Sequence, residues 1–267
     1  MRLRRLPPIV LVALCSLALA ACGGGSSDKA SAPPPPADSS STVVEHAYGS
    51  GPGQVWVFGP KSGEPKSLVV FFHGLGDQKE TTPYHHRPWL RHLAAEGNIV
   101  FYPRYEKYPG APGALKNAIG GIRTAMDKAT LKKPIPVVVI GYSRGAGLGF
   151  DYTAIAPVVG PTPKAVLEVF PAMQDPPLDL RGIQRGTRFV FLVGEDDAVV
   201  GNAGAEILMK QLDRFHYPRR LVKAELVKTR TGFLASHLSV LETTPQAKAA
   251  FWDRADRLIR SVTAQKA

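Results

Sequence analysis

A serine stands at the centre of the pentapeptide Gly-Tyr-Ser-Arg-Gly, residues 141–145. The aliphatic run 135–140 before it predicts a buried strand, and residues 144–156 after it predict a helix. A serine on such a sharp strand-to-helix turn is exposed to substrate, and glycines two positions away on either side relieve crowding against its strained backbone. The N–H groups that open the helix point towards any oxyanion formed there. The pattern predicts Ser143 as a nucleophile.

A serine hydroxyl becomes a nucleophile only when a base takes its proton and an acid orients that base. Residues 193–197, Val-Gly-Glu-Asp-Asp, place an acidic cluster at the end of a predicted strand. Asp197 and Asp196 are the candidates within this cluster, and Asp175, after the preceding strand, is a third.

Where the nucleophile stands on such a strand-to-helix turn, the acid and then the histidine follow it in the chain. Of the seven histidines, only His216 and His237 follow the acidic cluster. His216 comes at a helix end before a strand, away from the carboxyl ends of the strands, where a capping or surface role explains it. His237 lies in the loop 229–239 after the last strand, so we predict His237 as the base.

The turn His73-Gly-Leu-Gly ends another buried strand, and its glycines allow a backbone to approach a substrate closely. We expect the backbone N–H groups of Leu75 and Arg144 to form an oxyanion hole. His73 is expected to hold this loop by hydrogen bonding rather than to take part in the reaction.

The remaining elements explain how these residues could meet. Predicted strands alternate with predicted helices at 87–96, 114–129, 144–156, 203–215 and from 245 onwards; the strands are 43–48, 54–58, 67–72, 98–102, 135–140, 165–170, 188–193 and 221–227. Such alternation predicts an α/β fold with a mostly parallel sheet of about eight strands, flanked by helices on both faces. Ligands bind such sheets at the carboxyl ends of the strands.

In their order, the strand–HGLG, strand–GYSRG–helix, strand–GEDD and strand–loop–His237 segments resemble the α/β-hydrolase superfamily, from about Lys66 to the C-terminus. The resemblance implies a serine hydrolase of the esterase and lipase type. It favours Asp197 as the acid, since Gly-x-x-Asp with Val200 three residues on is the usual acid loop of this fold, and it leaves Asp196 and Asp175 as alternatives. It also implies that no metal or cofactor takes part.

The N-terminus resembles that of an exported bacterial lipoprotein. A basic start and a short apolar run to Ala21 are typical of a signal peptide, and Leu-Ala-Ala-Cys at 19–22 resembles a lipobox. We expect a signal peptide at 1–21, a lipidated Cys22, a flexible Gly/Ser/Pro tether at 22–41 and the hydrolase domain at 42–267. The protein would be anchored to a bacterial membrane through this lipid, at the periplasmic or another extracytoplasmic face.

Composition excludes several other classes. A hydrophobic content of 44% with 21% charged residues excludes wholesale disorder and a polytopic membrane protein, and two cysteines exclude a disulfide scaffold. The net charge of +11 includes the signal peptide, and the basic residues are scattered along the sequence, so nucleic acid is not an expected partner. The sequence gives no sign of an oligomeric state.

The expected substrate is a small-molecule carboxylic ester with a short or small acyl group. The interval between Ser143 and Asp197 must already hold a helix and two strands, which leaves the Pro-rich loop 171–186 and no room for a large cap domain. The alternatives are another acyl hydrolase, such as a thioesterase, peptidase or dienelactone-type enzyme, and a lipoprotein that only binds ligands on the same fold.

Overall fold

The computed structural model describes residues 42–76, 79–107, 110–172 and 179–264. All of them belong to one compact unit, Asp38–Ala267. The predicted signal peptide, Cys22, the tether and Asp175 lie outside the described residues. No helix in the described ranges is long and apolar enough to cross a membrane.

The central element is one eight-stranded sheet with the order β1-β2-β4-β3-β5-β6-β7-β8. Strands β3 to β8 are parallel, whereas β2 runs antiparallel to both β1 and β4. The strands are β1 Val43–Tyr48, β2 Val55–Pro60, β3 Ser67–Phe72, β4 Asn98–Pro103, β5 Val137–Tyr142, β6 Ala165–Val169, β7 Arg188–Gly194 and β8 Val222–Val227. Every residue of β3, β4, β5 and β6 is buried, as expected of strands covered on both faces.

Within the described ranges, five α-helices cover the sheet: α1 Arg87–Ala95, α2 Ala114–Lys128, α3 Arg144–Val159, α4 Ala203–Arg214 and α5 Pro245–Thr263. The sequence explains several of their ends. Pro245 occupies the first turn of α5, and the Thr244 hydroxyl accepts a hydrogen bond from the N–H of Ala247. Beyond α1, Gly97 has a φ of 90°, the left-handed conformation that commonly follows a helix.

Two apolar cores form, one on each face of the sheet. One contains Trp89 of α1 and Phe251 of α5, whereas the other contains Ile122 of α2, Leu148 of α3 and Leu212 of α4. The helices are therefore divided between the two faces, as the strand–helix alternation predicted.

The parallel strands define two edges of the sheet. We call the edge where β3 to β8 begin the amino edge and the edge where they end the carboxyl edge. Because each helix returns the chain from the carboxyl edge to the amino edge, successive loops alternate between the two. The predicted α/β-hydrolase fold class is confirmed, and the predicted strands and helices match those observed apart from small shifts at their ends.

Candidate active site

Ser143 lies on the turn between β5 and α3, with φ 55° and ψ −121°. This is a strained conformation for a residue with a side chain. The flanking glycines relieve crowding around this turn, as the sequence indicated. A Cβ added at Gly145 would lie 2.1 Å from the carbonyl oxygen of His73, and one added at Gly141 would lie 2.4 Å from Cα of Ala146. Only glycine fits at either position.

The structure brings three of the predicted residues together at the carboxyl edge. Nε2 of His237 lies 2.9 Å from Oγ of Ser143, and Nδ1 of His237 lies 2.9 Å from Oδ2 of Asp197. All three residues are buried, with 6 to 8% of their surface exposed. Both contacts have hydrogen-bond length, so the serine, the imidazole and the carboxylate form a continuous chain.

The acidic loop after β7 distinguishes its two aspartates. Oδ1 of Asp197 accepts the N–H groups of Val199 at 2.9 Å and Val200 at 3.1 Å, which leaves Oδ2 for His237. Asp196 instead accepts a hydrogen bond from the Thr229 hydroxyl. The geometry therefore favours Asp197 over Asp196.

Tyr142, the residue before the nucleophile, holds the loop that carries His237. Its hydroxyl donates a 3.0 Å hydrogen bond to the carbonyl oxygen of His237, and the two rings lie 5.2 Å apart between centroids. This contact could not be predicted from the sequence, because the two residues are remote in the chain. His216 lies in the loop between α4 and β8, at the amino edge, and takes no part in the site.

The loop after β3 carries the predicted oxyanion-hole residue Leu75, whose side chain is half exposed. The N–H of Gly74 donates a 2.9 Å hydrogen bond to Oε1 of Glu80, so that donor is already used within the protein. Leu75 is the next donor along the chain, and the second predicted donor, Arg144, is the first residue of α3. The tight approach of Gly145 to the end of β3 places the two segments beside each other.

Glu80 and His86 form a buried pair behind this loop. Nε2 of His86 lies 2.8 Å from Oε1 of Glu80, the same oxygen that accepts the Gly74 N–H. Although burial opposes it, the hydrogen bond with His86 lowers the pKa of Glu80 to about 2, so the carboxyl group is ionised at neutral pH. Neither residue belongs to a recognisable motif, so the sequence alone does not point to this pair.

His73 holds the loop from the other side, as expected. Its ring stacks on Tyr105 at 4.0 Å between centroids, and its Nδ1 donates a 2.7 Å hydrogen bond to the carbonyl oxygen of Gly74. Burial lowers the pKa of His73 to about 4, so the ring is neutral at physiological pH. The Tyr105 hydroxyl donates to the carbonyl oxygen of His73.

Two further carboxyl groups lie near the residues that flank the nucleophile. Oε1 of Glu106 lies 2.6 Å from Nε of Arg144, so the charge of this arginine is compensated within the site. Glu168 of β6 lies behind the turn, where a Cβ at Gly141 would come within 2.7 Å of its Oε2. Burial and the negative charge of Asp151 raise the pKa of Glu168 well above its ordinary value.

This arrangement can carry out nucleophilic acyl chemistry. With Nδ1 held by Asp197, His237 turns Nε2 towards the hydroxyl of Ser143, the orientation needed in a general base. Among the described residues, no group of three or more His, Cys, Asp or Glu side chains could hold a metal ion.

The chain matches no protein-family model, and no curated protein sequence matches it. Solved structures share its fold. An esterase B from Lactobacillus rhamnosis, crystallised with a tributyrin phosphonate inhibitor, has a TM-score of 0.66 at 16% identity, over 84% of this chain and 87% of that chain. MGS-M1, an α/β hydrolase from a deep-sea metagenome, has a TM-score of 0.61 at 16% identity, covering 84% and 99%. A fungal esterase from Rhizomucor miehei has a TM-score of 0.61 at 16% identity, over 84% of this chain and 85% of that chain.

Proposed function

We propose that the protein is a serine hydrolase that cleaves small carboxylic esters through an acyl-enzyme on Ser143. The observation that carries the proposal is the hydrogen-bonded chain from Ser143 through His237 to Asp197, with the serine on a strained turn at the carboxyl edge. The esterases among the structural neighbours support the same class of substrate, although at their low identity they share only the fold with this chain.

The proposed reaction has two steps. Nε2 of His237 takes the proton of the Ser143 hydroxyl while Oγ attacks the ester carbonyl carbon, and the N–H groups of Leu75 and Arg144 stabilise the resulting oxyanion. The tetrahedral intermediate collapses to an acyl-enzyme, and the imidazolium gives its proton to the departing alkoxide. Water, deprotonated by the same imidazole, then attacks the acyl carbon and releases the carboxylic acid and the free serine. Asp197 keeps the imidazole in the correct tautomer and stabilises its cationic form.

The preference for small acyl groups rests on the space left between elements. The interval between Ser143 and Asp197 contains α3, β6, a short helical turn at Leu180–Gly182 and β7. Too few residues of this interval lie outside these elements to form a folded cap. Each buried methylene adds only about 0.8 kcal/mol to binding, so a site without a cap, which contacts few methylenes of a long acyl chain, favours short chains.

Steady-state hydrolysis of p-nitrophenyl acetate tests the proposed function. Ser143→Ala and His237→Ala are each expected to abolish turnover, and the double variant is expected to be no worse than either, because the members of such a triad act as a unit. Losses that multiply in the double variant would contradict the shared mechanism. A wild-type protein that turns over no acyl substrate would instead favour a ligand-binding lipoprotein.

We further propose that Cys22 carries the lipid that anchors the protein to a membrane. Cys22→Ala is expected to release the protein into the soluble fraction after cell breakage without detergent. A variant that still sediments with membranes would argue that the cysteine is not the anchor.

A further inference from the structure

A basic groove lies at the far side of the domain from Ser143. It is formed by the start of β7, the turn before β8 and the second half of α5, and its cationic lining residues are Arg188, Arg220, Lys223, Arg254 and Arg257. A second cleft shares Arg188 and Arg220 with it. Because β7 and β8 begin here, the groove is at the amino edge of the sheet.

Little negative charge compensates this groove. Glu225 is its one acidic lining residue among those described, and it pairs with Lys223 at 2.9 Å and with Arg254 at 3.0 Å. Arg220 and Arg257 are exposed and pair with no carboxylate in the described ranges. The groove therefore keeps a net positive charge that faces solvent.

The same excess of positive charge continues along the amino edge. The loops that lead into β3, β5 and β6 carry exposed lysines at this edge: Lys61, Lys66, Lys132, Lys133 and Lys164. Of these, Lys132 pairs with Glu64 at 2.6 Å. Ion pairs between exposed side chains are weak, so the pair of Lys132 with Glu64 changes the potential of the edge little.

The carboxyl edge has a different balance. Its loops contain Glu80 and Glu106 as well as the acidic run 195–197, among a similar number of basic residues. The basic residues that are scattered along the sequence are therefore concentrated at one edge, because every second loop of an alternating strand–helix chain returns there.

The chain enters the domain at the basic edge. Val43, the first residue of β1, pairs with Pro60 at the end of β2, and β2 runs from the carboxyl edge to the amino edge. The predicted tether at 22–41 is thus joined to the domain at the amino edge. Twenty residues span at most about 70 Å even when fully extended, so a lipid on Cys22 would keep this edge within that distance of a membrane surface.

From the charge distribution and this point of entry, we propose that the amino edge binds the anionic headgroups of a lipid surface. The active site then faces away from the membrane and towards substrates that diffuse in the aqueous phase. A surface of single Lys and Arg side chains suits lipid headgroups, whereas single-stranded nucleic acid also requires aromatic platforms for its bases. The described residues of the amino edge include no exposed Phe, Trp or Tyr.

Vesicle flotation of the unlipidated chain tests this proposal separately from the anchor and from catalysis. The chain 23–267 contains the whole compact unit and lacks both the signal peptide and Cys22. We expect it to bind vesicles of phosphatidylcholine with 30% phosphatidylglycerol at about 0.05 M salt and to leave them at about 1 M, where the screening length falls to about 3 Å. It should not bind vesicles of phosphatidylcholine alone.

Charge reversal locates the binding surface. The triple variant Lys164→Glu, Arg220→Glu, Arg257→Glu should lower the vesicle partition coefficient at least about a hundredfold, since each basic residue near an anionic surface contributes about fivefold. These side chains are exposed and lie far from Ser143, so an unchanged rate of ester hydrolysis, or an unchanged circular dichroism spectrum, verifies folding.

The matched control places the same charge change at the carboxyl edge. Lys116→Glu, Lys228→Glu, Arg230→Glu alters exposed residues there and should lower binding much less than the amino-edge variant. Equal losses in the two triple variants would overturn the proposal, as would equal binding to neutral vesicles. Tight binding of a short DNA duplex at a salt concentration where anionic vesicles stay unbound would overturn it in favour of a nucleic-acid partner.

Discussion

Glu80 holds the loop after β3, which carries the proposed oxyanion donor Leu75, and its replacement tests whether that loop is part of the catalytic machinery. In Glu80→Ala, the N–H of Gly74 and the ring N–H of His86 lose their shared acceptor in a buried setting. Each buried donor left without a partner costs about 1–3 kcal/mol, so the free energy of unfolding should fall by about 2–6 kcal/mol.

The kinetic consequence should be larger than partial unfolding explains. Freed from Glu80, the peptide that follows Gly74 can turn, and the N–H of Leu75 then no longer points at the oxyanion. Loss of one oxyanion donor lowers kcat by about 10² to 10³. We expect a decrease in this range with KM changed much less, because the oxyanion exists only in the transition state.

The assay is kcat and KM on p-nitrophenyl acetate, normalised to the sites that a fluorophosphonate titrates, together with urea unfolding. Glu80→Gln keeps an acceptor for Gly74 and should recover kcat to within about tenfold of the wild type. Glu45→Ala is the matched control, since it removes a carboxylate that lies on β1 rather than in the loop after β3 and pairs at 3.0 Å with Arg87, the residue after His86. If Glu80→Ala loses stability but keeps a normal kcat per titrated site, the loop does not depend on Glu80.

The remaining predictions concern the acid, the histidine loop, acid stability and chain length. Asp197→Asn should lower kcat by about 10⁴, whereas Asp196→Asn, which only loses the contact with a threonine, should stay within about tenfold; the reverse result would transfer the acid role. Tyr142→Phe should lower kcat about tenfold, because the loop that carries His237 loses its hydrogen bond. The control Tyr152→Phe loses a 2.9 Å hydrogen bond far from the site and should affect only stability. Equal effects of the two variants on kcat would exclude a positioning role for Tyr142. The pKa of Glu80 is lowered from 4.5 to about 2 in the folded protein, so its ionised form contributes up to about 3 kcal/mol to the free energy of unfolding above pH 4.5, and this contribution is lost as the pH falls towards 2. The free energy of unfolding of Glu80→Gln in urea should therefore vary less with pH over this interval. A pH dependence equal to that of the wild type would contradict the assignment. Rates on p-nitrophenyl esters of two to sixteen carbons should be highest for short chains, and a maximum at long chains or a jump above the solubility limit would contradict the open site.

The sequence was most informative where backbone chemistry restricts the choice of residue. The apolar runs before Phe72 and Tyr142 are typical of buried strands, and the structure confirms both. The glycines around Ser143 are required by contacts as close as 2.1 Å. Residue spacing alone could not identify the acid, because two aspartates stand side by side. The resemblance favoured Asp197, and the structure shows that its carboxylate contacts His237.

What the sequence could not predict depends on contacts between distant residues. Glu80 and His86 lie in a loop with no characteristic spacing. The hydrogen bond from Tyr142 to His237 joins the end of β5 to the loop after β8, and only the folded sheet brings these two segments together. The concentration of positive charge has the same origin, because its residues are spread over many loops and meet only once the strands are ordered.

The central claim is that Ser143 is the activated nucleophile, and covalent labelling measures this most directly. A fluorophosphonate should add one phosphonyl group to the folded protein, on the peptide that contains Ser143. The reaction should be abolished in Ser143→Ala and at least about 10³-fold slower in His237→Ala, because the hydroxyl depends on its base. Stoichiometric labelling of another residue, or a folded wild-type protein that does not react, would contradict the account.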